Sequence, residues 1–234
     1  MKARDRAYER LYGGIEDVLE HMIGRQQPRQ TQMQDIRSRY PCPVFFVESN
    51  EFMLKRAGLG NTEAFYFWMI PGLTRYVARE AFGEKPCMNT LSRAAEYLKS
   101  LYIGIHVEQF YILMLDYRGR LIDAVMIGSG TVDAAPFDLS SMLAQVVSHD
   151  ARALILCHNH PGGTMQPSEA DLRCTLDALA ATITINVPLL DHIIIADNRA
   201  VSIRGCGYIA PELWVMQAPK KRIVREWLDV DGIV

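Results

Sequence analysis

The chain has 234 residues, 49% hydrophobic and 22% charged, enough apolar material to bury a core without disulfide or metal staples. Twenty-five Lys and Arg stand against 27 Asp and Glu, a formal net charge of −2, which excludes the overall basic field of proteins that coat nucleic acid. No apolar run approaches the roughly 18–20 residues of a membrane span and none follows Met1, so the expectation is a protein with no membrane partner and no export signal.

In chain order, residues 3–23 read as a short amphipathic helix broken at Gly13-Gly14, and residues 25–39 as a polar, Arg-rich linker; together they make an N-terminal region, 1–40. Residues 41–85 carry an apolar helical pattern with Phe45, Phe46, Phe52, Phe65, Phe67 and Trp68 as bulk. Within them Gly58-Leu59-Gly60 is either a turn between packed helices or the phosphate-facing turn of a degenerate helix-hairpin-helix, and Pro71-Gly72 should interrupt the helix that follows.

Residues 86–209 alternate strands with helices. Asn89 or Thr90 caps a helix to Leu101 with Leu91, Ala94, Ala95, Leu98 and Leu101 as its stripe. A strand from Glu108 to Leu115, apolar on both faces, turns at Asp116–Arg120 into a neighbour over 121–127. Asp138 starts a helix ending near Asp150, residues 153–157 form a buried strand, and Ser168 starts a helix to about Ala181. Strands at 189–196 and 200–204 close the region. The predicted fold class is α/β, a mixed sheet flanked by helices with a helical N-terminal region. Residues 210–234 form a tail in which Lys220-Lys221-Arg222 and Trp227 suit an amphipathic helix packed on the body or on a second subunit.

Cys42, Cys87, Cys157, Cys174 and Cys206 include no Cys-x-x-Cys pair, which points to a reducing cytoplasm and away from a structural zinc ribbon. A different site is available. His158 and His160, at i and i+2 on a strand end, face the same side and can present two imidazoles to one point. Asp171, eleven residues beyond His160, falls in the first turn of the next helix, and Pro161-Gly162-Gly163 lets the chain reverse toward the strand end. Two His and one carboxylate leave a fourth tetrahedral position open, the mark of a catalytic zinc site. Ser168-Glu169-Ala170-Asp171 is equally a capping box, and each piece alone favours the structural reading.

The joint pattern resembles the JAB, MPN or JAMM metallopeptidases, and within them the bacterial RadC-like branch. It is carried by His158-Asn159-His160-Pro161-Gly162-Gly163, by Pro167-Ser168-Glu169-Ala170-Asp171 with Thr175, by Asp191-His192-Ile193-Ile194-Ile195 with Ser202, and by the Glu108-led strand. The resemblance implies the layered MPN/JAB, deaminase-like fold and a zinc-dependent hydrolase of peptide, isopeptide or related amide bonds. His158, His160 and Asp171 would hold one zinc ion per chain, Glu108 would act as general base, and Ser168 would assist the developing oxyanion. The partner is then a peptide or protein substrate. The sequence sets no oligomeric state.

On the residues alone, Glu108 is a solvated strand end and His106 competes with it; Asp191-His192 reads as a buried hydrogen-bonded pair or as support for a ligating imidazole. Cys157 is a small buried residue, and His149 sits at a helix C-terminus. The Pro-Cys-x-x-Cys that must accompany a His-x-Glu in zinc deaminases is absent, and so is the His-Glu-x-x-His of zincins. The alternative function is a DNA-associated or protein-binding RadC-like module, in a DNA-repair or mobile-element setting, whose metal pocket is regulatory or non-catalytic. The near-neutral charge gives a DNA partner little support.

Overall fold

The computed structural model describes residues 50–56, 58–130, 137–215 and 227. The expected helix at 3–23, the linker at 25–39, Cys42 and the basic cluster at 220–222 lie outside the described residues. The chain divides into two compact units, Met1–Tyr76 and Val77–Val234.

Helix α1 (Glu51–Arg56) ends on Gly58 at φ 94°, with the Gly58 N–H on the Lys55 carbonyl and the Leu59 N–H on the Leu54 carbonyl. This is a Schellman stop, and its apolar partners Leu54 and Leu59 are both buried. Gly60 then opens helix α2 (Asn61–Glu80), accepting the Ala64 N–H. Contrary to the sequence expectation, α2 continues through Pro71. A proline removes one backbone donor, and the turns on either side carry the helix past it; the Thr74 hydroxyl takes the Ile70 carbonyl beside the break.

The second unit is built on a five-stranded sheet with order β2-β1-β3-β4-β5, made of β1 (Glu108–Leu115), β2 (Leu121–Gly130), β3 (Ala153–Asn159), β4 (Leu189–Ala196) and β5 (Arg199–Ser202). β1 pairs antiparallel with β2 and β3, β4 with β5, and β3 and β4 run parallel, joined by the crossover helix α5 (Glu169–Thr184). The sheet is thus mixed, as expected, with helices on both faces. Helix α3 (Leu91–Leu101), capped by Thr90, covers one face: Leu91, Ala94, Leu98 and Leu101 bury against Leu113, Ile155 and Ile193. Helix α4 (Leu139–Ser148), capped by Asp138, and α5 cover the other, where Met142, Val146, Ala178 and Leu179 meet Ile112, Leu154 and Ile194. Each of the Leu, Ile, Val and Met side chains among these contributes about 1.5–3 kcal/mol when removed from water. The short helix α6 (Pro211–Val215) adds Trp214 to this second layer.

Alternation along the strands decides what faces what. On β1, Glu108 falls on the same face as Phe110 and Ile112; on β3, His158 falls with Leu154 and Leu156; on β4, His192 falls with Ile194. All belong to the face under α5. Asp191 and Cys157 point the other way, toward α3. Trp227 buries in that opposite layer and donates its indole N–H to Asp191 Oδ2 at 3.2 Å. No helix among the described residues is long and apolar enough to cross a membrane.

Candidate metal centre

β3 runs two residues further than the sequence pattern indicates and includes His158. Apolarity defines the strand up to Cys157, whereas its hydrogen bonds continue: the Phe110–His158 pair with β1 and the Asn159–Ile195 pair with β4 are both intact. The His158 ring is fully buried and stacks on Phe110, with centroids 5.3 Å apart and planes 8° from parallel.

His160 follows the strand, its N–H on the Ile195 carbonyl at 2.9 Å. Pro161 and Gly162 make a turn closed by the Gly163 N–H on the His160 carbonyl at 3.0 Å. Gly163 has φ 78°, which favours glycine, and a Cβ there would also lie 2.7 Å from the exposed Asp197 Oδ2. The turn returns the Thr164 carbonyl to 2.6 Å from His160 Nδ1. A carbonyl only accepts, so Nδ1 carries the proton and Nε2 of the neutral ring presents its lone pair.

Asp171 occupies the third position of α5. The capping box forms: Ser168 Oγ accepts the Asp171 N–H at 3.2 Å, and Asp171 Oδ2 accepts the Ser168 N–H at 2.7 Å and the Ser168 hydroxyl at 2.7 Å. Capping occupies one carboxylate oxygen. The other, Oδ1, lies 3.1 Å from His158 Nε2. The two readings of Asp171 are therefore compatible.

Glu108 Oε1 is 3.8 Å from His158 Nε2. Glu108, His158, His160 and Asp171 each offer one ligand atom, and these atoms all lie within 4.8 Å of one another. Bonds of about 2.0–2.1 Å to a tetrahedral ion would separate ligand atoms by about 3.3 Å. The spacings of 2.8 Å between the two Nε2 atoms and 3.1 Å from His158 Nε2 to Asp171 Oδ1 lie near that value, and His160 Nε2 is 3.6 Å from the capping oxygen Oδ2. Two imidazoles with carboxylates are also a donor set that suits zinc. The residues fit a metal ion.

The electrostatics are those of a small, half-enclosed charge cluster. Burial pushes the Glu108 carboxyl up, the His158 and His160 rings pull it back, and the Asp171 carboxylate adds to the rise; the net direction is upward. Burial likewise opposes the Asp171 charge, but the neighbouring His158 and His160 rings and the Ser168 hydroxyl hold its carboxyl far below the usual range. The N-terminus of α5 favours the same anion. Burial disfavours a charged His160, yet Asp171 and the Thr164 carbonyl outweigh it and raise its pKa.

The structure brings together Glu108, His158, His160, Ser168 and Asp171. His106 lies exposed ahead of β1 and is outside the group. Cys157 sits on the opposite face, 3.2 Å from the Tyr102 hydroxyl, and burial raises its thiol pKa. His149 caps α4, 2.9 Å from the Gln145 carbonyl.

This constellation coincides with a family assignment, because residues 88–208 match the RadC-like JAB domain. The chain belongs to the RadC-like JAB domain family. It is similar to curated relatives called UPF0758 proteins: 31% identical over 164 residues to one from Vibrio parahaemolyticus, covering 70% of this chain and 73% of the relative. One from Shewanella amazonensis is 32% identical over 164 residues with the same coverage, and one from Vibrio cholerae 30% identical over 166, covering 71% and 74%.

Within this RadC-like domain three further residues support the group; the sequence offered His192 only as one of two readings of the Asp191-His192 pair and gave Thr175 and Asn159 no role. His192 Nε2 lies 2.8 Å from His158 Nδ1, and Thr175 Oγ1 lies 2.6 Å from His192 Nδ1. Asn159 reaches back along the sheet: its Oδ1 accepts the Gln109 N–H at 2.8 Å and its Nδ2 donates to the Val107 carbonyl at 3.0 Å. The signal for His192 was the alternation of β4, which sends Asp191 and His192 to opposite faces and so prevents them from being one side-chain pair. For Thr175 it was the four-residue step from Asp171 along one helix face. Asn159 bonds only main-chain atoms here, and such bonds leave no pattern in a sequence.

Proposed function

We propose that the chain is a zinc-dependent hydrolase of peptide, isopeptide or related amide bonds, with one zinc ion held by His158, His160 and Asp171 and a peptide or protein as substrate. The observation that carries this reading is the convergence of these ligand atoms with Glu108 within 4.8 Å. Zinc bound there supplies a water of pKa about 7 and an electrophile for a carbonyl oxygen. Glu108 takes the water's proton and passes it to the leaving amine. Burial raises its carboxyl above the ordinary carboxylate value, which makes it a stronger proton acceptor than an exposed glutamate. Ser168 donates a hydrogen bond from its hydroxyl to the oxyanion. To do so the hydroxyl turns away from Asp171 Oδ2, which keeps the Ser168 main-chain N–H.

The test uses protein purified without added metal. Parent protein should carry zinc that a His158→Ala, His160→Ala double variant lacks, and should release new amines from a set of peptide- and isopeptide-linked substrates. Glu108→Gln should keep the zinc and lose about 10²–10⁴ of the rate. No zinc above the double variant, or unchanged turnover in Glu108→Gln, overturns the proposal. Zinc without hydrolysis favours the alternative of a binding module with a regulatory pocket.

A further inference from the structure

We propose that His192 and Thr175 are positioning residues that lock His158 in the tautomer presenting the Nε2 lone pair, and that tie this ring to the main chain of Asp171. The proposal rests on the metal-site reading above. Its argument is a count of protons along one buried chain of contacts.

The Thr175 hydroxyl has one proton and two close neighbours, the Asp171 carbonyl oxygen at 2.5 Å and His192 Nδ1 at 2.6 Å. The carbonyl can only accept, so it receives the hydroxyl proton, and Thr175 Oγ1 must accept from His192 Nδ1–H. His192 is fully buried between a hydroxyl and another imidazole, a setting that keeps it neutral. With its proton on Nδ1, its Nε2 is an acceptor. His158 Nδ1, 2.8 Å away, is then the donor, which leaves Nε2 as the nitrogen with the lone pair in the neutral ring. That bare nitrogen lies 3.1 Å from Asp171 Oδ1 and 2.8 Å from His160 Nε2, in the ligand cluster.

Every bond of the chain is out of water: His158, His192 and Thr175 are all buried, so no solvent molecule replaces a lost partner. Phe110 fixes both rings, stacked on His158 and tilted against His192 with centroids 5.2 Å apart. The chain starts on the backbone of one ligand residue on α5, crosses β4 and ends on the ring of another on β3. It therefore sets the ligand's tautomer and the spacing of strand and helix together. His160 needs no such side chain, because the Thr164 carbonyl does the equivalent task.

Ring-nitrogen correlations in the ¹⁵N-labelled, metal-free protein read the tautomer directly. At a pH high enough to leave the rings neutral, the expected pattern is Nδ1–H with a bare Nε2 at both His158 and His192. Thr175→Val keeps the side-chain shape and removes the proton relay. It should give mixed tautomers at His158 and weaken zinc binding about 10–100-fold in competition with a chelator, and Thr175→Ser should restore both. A His158 with its proton on Nε2 in the parent overturns the proposal, as does a Thr175→Val variant with the parent's tautomer and zinc affinity. If Thr175→Val does not fold, the parent spectrum decides alone. A parent that binds no zinc sinks the proposed function and leaves the tautomer to be judged by its spectrum.

Discussion

The Asn159 amide grips the main chain on both sides of Glu108, accepting from Gln109 N–H at 2.8 Å and donating to the Val107 carbonyl at 3.0 Å. The backbone ladder between β1 and β3 stops at the Phe110–His158 pair, and the Asn159 side chain extends it by one more contact at the residue where the proposed base sits. One short segment thus has two uses. His158 and His160 face the metal cluster, while the residue between them, pointing away, holds the start of the neighbouring strand.

Asn159→Ala should release Glu108 without touching a ligand. Zinc content should stay at the parent level while kcat falls about 10–100-fold, the usual effect of losing a partner that orients a working group. Two main-chain groups lose their partner, so stability should fall by about 1–3 kcal/mol. Metal analysis beside steady-state kinetics checks this; parental kcat in a folded Asn159→Ala protein contradicts it.

Ser168 has two separable duties. Its side chain caps α5, and removing it should cost about 0.5–2 kcal/mol in denaturant unfolding. If the hydroxyl also serves the oxyanion, Ser168→Ala should lose about 10²–10³ in kcat with little change in zinc affinity. Ser168→Thr, which keeps both hydroxyl and cap, should recover much of each. A Ser168→Ala variant that loses stability and retains its turnover would leave the residue a cap alone.

Much of the fold was legible because its signals are local. Apolar runs marked the strands, Asn89-Thr90, Asp138 and Ser168 marked three helix starts, of which the structure selects Thr90 at the first, and His-x-His at a strand end marked the cluster. What was not legible depends on tertiary neighbours. The sequence cannot show that α2 carries Pro71 within it, because the cost of a proline is local while the compensation is spread over the helix. Nor can it choose between capping and ligation for Asp171, since a carboxylate has two oxygens and only the structure shows that they face different partners.

Gly163 offers a test of how the turn positions His160. Any side chain at φ 78° is strained, and a Cβ 2.7 Å from Asp197 Oδ2 must in addition push that exposed carboxylate aside. Gly163→Ala should therefore lower stability by more than about 1 kcal/mol and move the Thr164 carbonyl from His160 Nδ1. Weaker zinc binding should accompany the loss, read by chelator competition. An alanine variant with parental zinc affinity would show that the carbonyl does not set the His160 ring.

Asp191 gives the second unit a pH dependence of opposite sign to the usual carboxylate. Burial pushes its carboxyl up to about 6, although the Ser202 hydroxyl, the Arg204 main-chain N–H, the Trp227 indole and the His192 N–H all favour the charged form. The Arg204 guanidinium adds a favourable charge nearby, held on the Leu190 carbonyl. In the unfolded chain the same group titrates near 3.8. Between those values the folded state holds more protons than the unfolded one, so stability falls as pH rises through the window. Above about 6 the penalty is complete, on the order of 3 kcal/mol for a difference of about two units. Asp191→Asn removes the titration and keeps a carbonyl oxygen for the main-chain donors. Unfolding free energies of the two proteins should therefore converge or cross toward pH 4, separate in favour of the variant up to pH 6 and run parallel above it. A difference that stays flat from pH 4 to pH 7 would show that the Asp191 charge is not what its burial makes costly.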